Sequence, residues 1–137
     1  MQHDAVRAQE AQAWLARARL DLRAAEVDLA ADPPLAEDAA FHCQQAAEKA
    51  LKAFLAWHDR PFRKTHNLEE LGEQCLALDD RLRAEVDAAV PLTEFAWRFR
   101  YPGEPAELAP REAEEALAVA RRLFEAVVAL LPGAMRE

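Results

Sequence analysis

Two lysines one helical turn apart, flanked by a glutamine, a glutamate and a histidine, are the residues of this chain best suited to chemistry. They lie in the run Phe41-His-Cys-Gln-Gln-Ala-Ala-Glu-Lys-Ala-Leu-Lys-Ala-Phe-Leu. A helix advances about 100° per residue, which groups Ala40, Cys43, Ala47, Ala50, Leu51, Phe54 and Trp57 on one side. His42, Gln45, Glu48, Lys49 and Lys52 fall on the other. The apolar side is rich in small residues and lets a neighbouring helix approach closely. Ammonium, amide and imidazole groups all donate hydrogen bonds to an anion. Like charges three residues apart repel by a few tenths of a kcal/mol unless something negative stands near. That group is either a bound anion or Glu48, which precedes Lys52 by four residues in the favourable orientation.

Two further segments carry cations. Lys64-Thr-His66 stands just before a helix start, where the histidine either packs against the helix end and bonds a carbonyl or donates to a phosphate. Arg98-Phe-Arg100-Tyr101-Pro alternates basic and aromatic residues, a pattern suited to phosphate oxygens and base stacking. The same arginines would also complement a helix C-terminus, and Trp97 and Phe99 would serve equally as core. The chain carries a net charge of −8, which argues against a general nucleic-acid binder. Its distribution is uneven: residues 48–66 hold five basic side chains against Glu48 and Asp59, and residues 98–111 are +1, while the remaining segments are acidic. A local anion site on an acidic protein is the functional reading; ordinary solvated helix-end charge is the alternative.

Other chemistries lack residues. The chain has no serine, and its three glycines form no phosphate loop. Cys43 and Cys75 both fall on apolar faces, so free buried thiols in a reducing cytoplasm are expected rather than a disulfide. No His/Cys pair has zinc-ligand spacing, His42 and His58 being 16 residues apart, so neither metal nor cofactor is expected. No stretch is long and apolar enough to span a bilayer, and no signal-peptide pattern begins the chain.

The secondary structure that carries these residues is expected to be all helical. Ala, Leu, Glu and Arg dominate, and no alternating segment suggests a strand. Ala11, Leu15, Ala18, Leu22, Ala25 and Leu29 form a heptad-type stripe in a first helix from about residue 4 to 31, stopped by Asp32-Pro-Pro. A second helix runs from about 35 to 58, antiparallel to the first. After a loop at 59–66, Asn67-Leu-Glu-Glu70 reads as a capping box before a third helix with Leu68, Leu71, Cys75 and Leu78. A fourth stretch starts near residue 80 and is divided or kinked by Pro91. A second loop runs from Tyr101 to Pro110, where a proline followed by glutamates marks the last helix, with Ala113, Leu117, Ala120, Phe124, Val127 and Leu131 on its stripe. The fold class is therefore all-α, a four- to five-helix up-and-down bundle in a single domain over residues 1–137. The small-residue stripes, with Trp14 and Trp57, exceed what one thin bundle buries, and a homodimer is expected.

The run Gln44-Gln-Ala-Ala-Glu-Lys-Ala-Leu-Lys-Ala, then Lys64-Thr-His-Asn-Leu, then Arg98-Phe-Arg-Tyr-Pro102 resembles the HEPN domain family, over about residues 11–128. The resemblance is to its prokaryotic branch, often encoded beside a minimal nucleotidyltransferase. It implies a helical bundle and a role among ribonuclease toxins, nucleotide-binding modules and members with no assigned role. Ribonuclease members carry Arg, four to six residues, then His late in the bundle, supplying a base and a cation for RNA cleavage. Here no histidine follows His66, so the late motif is absent; Arg60 and His66 have the spacing but lie in the loop between helices two and three.

The expected function is nucleotide or RNA phosphate binding, a nucleotidyltransferase partner, or both, in a toxin–antitoxin-like setting. A metal-independent ribonuclease using Arg60 and His66 and a pure helical interaction module are the rivals. Gln45, Lys49, Lys52, Lys64, His66, Arg98, Arg100 and Tyr101 are the candidate ligand-binding residues.

Overall fold

A computed structural model describes residues 2–99, 102 and 107–135 of the chain. Five α-helices are present among them and no strand: α1 (Gln2–Ala30), α2 (Ala36–Trp57), α3 (Leu68–Leu78), α4 (Arg83–Ala89) and α5 (Pro110–Ala129). Short 3-10 segments at Asp80–Leu82, Val90–Ala96 and Gly133–Met135 complete the regular structure. No helix is long and apolar enough to cross a membrane.

The first helix spans 29 residues, about 43 Å at 1.5 Å per residue. Its stripe of Ala11, Leu15, Ala18, Leu22 and Ala25 is buried. Asp32-Pro33-Pro34 ends it, because a proline has no backbone N–H to donate, and Leu35 N closes the turn onto Asp28 O at 2.9 Å. The chain then returns antiparallel along α1. Asp28 faces Asp38, Asp21 faces His42 and Lys49, Trp14 faces Lys52, and Arg7 stacks on Trp57.

The second helix is central. Packed against α1, α5, α3 and the 90–96 segment, it is buried nearly all round, and eight of its buried residues are alanines: 36, 39, 40, 46, 47, 50, 53 and 56. Small side chains on several faces let more than one helix approach its axis. At its end Asp59 takes a left-handed conformation (φ 56°), with Asp59 N on Ala56 O at 3.1 Å and Arg60 N on Leu55 O at 2.9 Å. This is a Schellman-type cap with aspartate where glycine is usual.

Asn67 caps α3, its Oδ1 accepting from Glu69 N and Glu70 N. The expected capping box is only half present. Glu70 instead takes Arg63 in a two-pronged ion pair, because Thr65 Oγ1 already accepts from Asn67 N. Gly72 lets α3 lie against α4, since a Cβ there would meet Val86 Cγ1 at 2.5 Å. Pro91 divides the fourth stretch, α-helix before it and 3-10 after. Before α5, Glu112 Oε1 accepts from Ala109 N. On α5, Leu123 is fully buried, whereas Phe124, expected on the core stripe, sits at its edge beneath Arg19. Cys43 and Cys75 are free, buried thiols.

Candidate functional site

Helical periodicity puts the polar groups of α2 on one flank, but the structure covers that flank rather than exposing it. One cover is α1; the other is the loop at 58–67, which folds back along α2. Between them lies a buried polar centre. The Glu48 carboxylate, 3% exposed, accepts Lys52 Nζ at 2.8 Å, His66 Nδ1 at 2.7 Å and Gln44 Nε2 at 3.2 Å. Burial alone would raise its pKa, but hydrogen bonds from Lys52, His66 and Gln44 outweigh that and hold it below the usual carboxylate range. Gln44 Nε2 also reaches His66 O at 3.0 Å, and Gln45 Nε2 donates to Gln44 Oε1 at 2.6 Å. The loop bearing His66 is thus clipped to α2 at two points.

His66 itself is 61% exposed at its side chain. Because Glu48 is an ionised acceptor, the imidazole Nδ1 carries the proton, and Nε2 is left for solvent or a ligand. A carboxylate that fixes one ring nitrogen and frees the other is the arrangement a proton-transferring histidine needs.

Beside this centre opens a cleft of about 460 Å³. Trp14 from α1 and Phe62 from the loop form its aromatic wall, edge to face with ring centroids 6.0 Å apart. The Lys52 ammonium stands 5.3 Å from the Trp14 ring and 5.7 Å from Phe62, favourable for a cation on the face of a π system. Arg60 and Lys64 line the same cleft, with Glu10 and Asp59 as its acids. Lys52 is matched by Glu48, but no salt bridge involves Arg60 or Lys64 among the described residues. The cleft therefore offers an aromatic surface with two uncommitted cations at its rim.

The remaining candidates lie elsewhere. Lys49 Nζ is bonded to Asp21 Oδ2 at 2.6 Å, and Asp21 Oδ1 meets His42 Nδ1 at 2.8 Å. Gln45 touches the buried centre only through Gln44. Arg98 pairs with Glu94 at 3.4 Å and lies over Phe99. Phe99 stacks on Phe95 and borders a shallow hollow with Glu37, Asp38 and Phe41 at the start of α2. Eleven residues, about 16 Å of helix, separate Phe41 from Lys52, so Arg98 belongs to the opposite end of α2 from the cleft. Trp97 is exposed. Arg100 and Tyr101 lie outside the described residues. Arg60 and His66 border the same Lys52–Glu48 pair from two sides, Arg60 through the cleft and His66 through Glu48.

Sequence reasoning missed two groups. Trp14 reads in the sequence as surplus apolar surface, and the one local signal for Phe62 is its place among Arg60, Arg63 and Lys64. Asp28 and Asp38 give no signal in His and Cys spacing. With His42 they bring one potential ligand atom each to within 4.8 Å of one another.

A model of the HEPN domain family matches residues 11–131. Comparison with curated proteins and with solved structures finds no match. The family match covers most of the chain, and the chain belongs to the HEPN domain family, whose functions relate to nucleotides and RNA.

Proposed function

We propose that this HEPN-domain protein binds the phosphate and base of a nucleotide or of single-stranded RNA in the cleft between Trp14 and Phe62. The observation that carries the reading is the pairing of that aromatic wall with Arg60 and Lys64, cations without a salt bridge among the described residues. A base stacks on the wall, worth about 1–3 kcal/mol in other single-strand binders, while Arg60 and Lys64 neutralise phosphate. Lys52 lines the cleft and is held by Glu48, whose other oxygen holds Nδ1 of His66 and leaves its Nε2 free. Lys49, Gln45 and Arg98 support the reading less, since Asp21, Gln44 and Glu94 engage them.

Fluorescence anisotropy of a labelled oligoribonucleotide tests this. Arg60→Ala and Lys64→Ala should each weaken binding and lower the slope of log K against log salt by about 0.7, the value for one single-strand phosphate. No binding by the native chain would leave a pure interaction module as the better reading. One observation favours a second reading, metal-independent ribonuclease activity: Glu48 orients His66 as a base is oriented. Cleavage that His66→Ala abolishes without loss of binding would establish it.

We also propose a homodimer, but through a different surface from the one expected. The small-residue stripe of α1 is consumed within the α1–α2 pair. The outer face of α1 instead exposes Val6, Leu20 and Val27, each above 60%, with Ala13 completing a seven-residue repeat suited to a second copy of the helix. Light scattering should give twice the 15.4 kDa chain mass, and Leu20→Glu should return it to the monomer. A nucleotidyltransferase partner in a toxin–antitoxin-like setting rests on the family alone, and co-purification with such a partner is its test.

A further inference from the structure

The turn from α1 to α2 gathers a group of side chains that the cleft does not use. Asp38 and His42 are one turn apart on α2 and so share a face; Asp28 reaches them from the end of α1. One ligand atom from each lies within 4.8 Å of the other two. Asp28 is only 9% exposed, and its Oδ2 has no hydrogen-bond partner among the described residues. A buried carboxylate oxygen left in that state is unfavourable unless a proton or a cation joins it.

The histidine is already set for coordination. Asp21 accepts Lys49 on one oxygen at 2.6 Å and meets His42 Nδ1 with the other at 2.8 Å. As an ionised acceptor, Asp21 requires the proton on Nδ1, so in the neutral ring Nε2 presents its lone pair. That atom is 3.5 Å from Asp38 Oδ2. Three acceptors therefore converge: Nε2 of His42, an oxygen of Asp38 and an oxygen of Asp28. Acceptors converge in this way only around protons or around a cation. A carboxylate holding the far nitrogen of the ring is also the usual outer partner of a metal-bound histidine.

We propose that Asp28, Asp38 and His42 bind a divalent transition-metal ion of the zinc class, through one oxygen of each aspartate and Nε2 of the histidine. An imidazole ligand favours zinc and its neighbours over magnesium or calcium, which prefer oxygen alone. Tetrahedral ligands at zinc stand about 3.4 Å apart, so the cluster needs only a modest contraction. Asp38 is half-exposed, which leaves the outer side open to solvent for the remaining coordination. The ion would tie the end of α1 to the start of α2.

Protons compete for the same atoms. Burial, then the hydrogen bond and charge of Asp38, push the Asp28 carboxyl up to about 6, with His42 pulling the other way. The groups facing it are Asp38 and His42 from α2, with the Asp21–Lys49 pair behind the ring.

The test is calorimetric titration of the EDTA-treated, dialysed full chain with zinc chloride near pH 7, paired with melting curves. The expected result is one ion per chain and a raised Tm. Asp28→Asn and His42→Gln should each weaken zinc binding at least tenfold, while circular dichroism shows the helices intact. Metal-free Asp28→Asn should melt no lower than the native chain, since it no longer buries a charge. No binding heat and an unchanged Tm would show that protons alone serve the cluster, and would overturn the proposal. Zinc binding indifferent to both substitutions would be attraction to the acidic surface and would overturn it equally.

Discussion

Removing the Glu48 carboxylate should be among the most damaging polar substitutions in this chain. Glu48→Leu leaves the Lys52 ammonium, 9% exposed, without its counter-charge beneath α1 and the 58–67 loop. It also deprives Gln44 and His66 of their acceptor. Breaking a buried ion pair on one side costs about 3–5 kcal/mol. Lys52→Met should cost less, about 1.5–3 kcal/mol for a lost charged hydrogen bond, because Glu48 keeps two other donors. The double variant should cost less than the two singles together, since the uncompensated charge is gone. Urea denaturation followed by circular dichroism gives all four stabilities. The acid limb gives an independent check. Because the folded pKa of Glu48 is lowered, its contribution is present above the unfolded value of about 4.3 and is lost as pH falls through the lower folded value. The native chain should lose this increment on acidification and Glu48→Gln should not. A cost below about 1 kcal/mol for Glu48→Leu, or strictly additive singles, would show that Lys52 does not depend on Glu48 for its counter-charge.

Other perturbations test the packing. Gly72→Ala should destabilise by about 1–3 kcal/mol, because the stiff Val86 side chain blocks the added methyl; an unchanged urea midpoint would contradict the close α3–α4 approach. Asp59→Gly should stabilise by about 0.5–1 kcal/mol by relieving the left-handed conformation, and in binding assays should favour anions by removing an acid from the cleft. Burial pushes both Cys43 and Cys75 up to about 12, so neither should react with a thiol reagent at pH 8 until denaturant opens the fold; prompt reaction of the native chain would place a thiol at the surface.

Periodicity made the bundle legible. The α1 stripe, the Pro33–Pro34 break, the Asn67 cap and the two core cysteines are all local signals, and each is where the pattern put it. The character of α2 was less legible. A helical wheel marks Glu48 and Lys52 as polar and leaves them facing water, because it holds no information about a loop fifteen residues away. Gln44 shows the same limit, being fully buried because its amide finds His66 O and Glu48. The spacing of Glu48 and Lys52 did reveal their ion pair, since i,i+4 contacts need no tertiary knowledge. The cleft required Trp14 and Phe62 to meet from segments nearly fifty residues apart. Asp38 and His42 were visible as an i,i+4 pair, but Asp28 joins them only because the proline turn reverses the chain.

Under the proposed function, Trp14 stacks on a base in a cleft whose rim holds phosphate. Tryptophan fluorescence, excited at the red edge where tyrosine does not absorb, tests it directly in a Trp57→Phe, Trp97→Phe background, where Trp14 is the sole tryptophan. Titration with a nucleotide or a short single-stranded RNA should quench Trp14 saturably, and Arg60→Ala or Lys64→Ala should shift the titration to higher concentration. Binding detected by calorimetry in the same variant with no change in Trp14 emission would put the ligand elsewhere on the bundle.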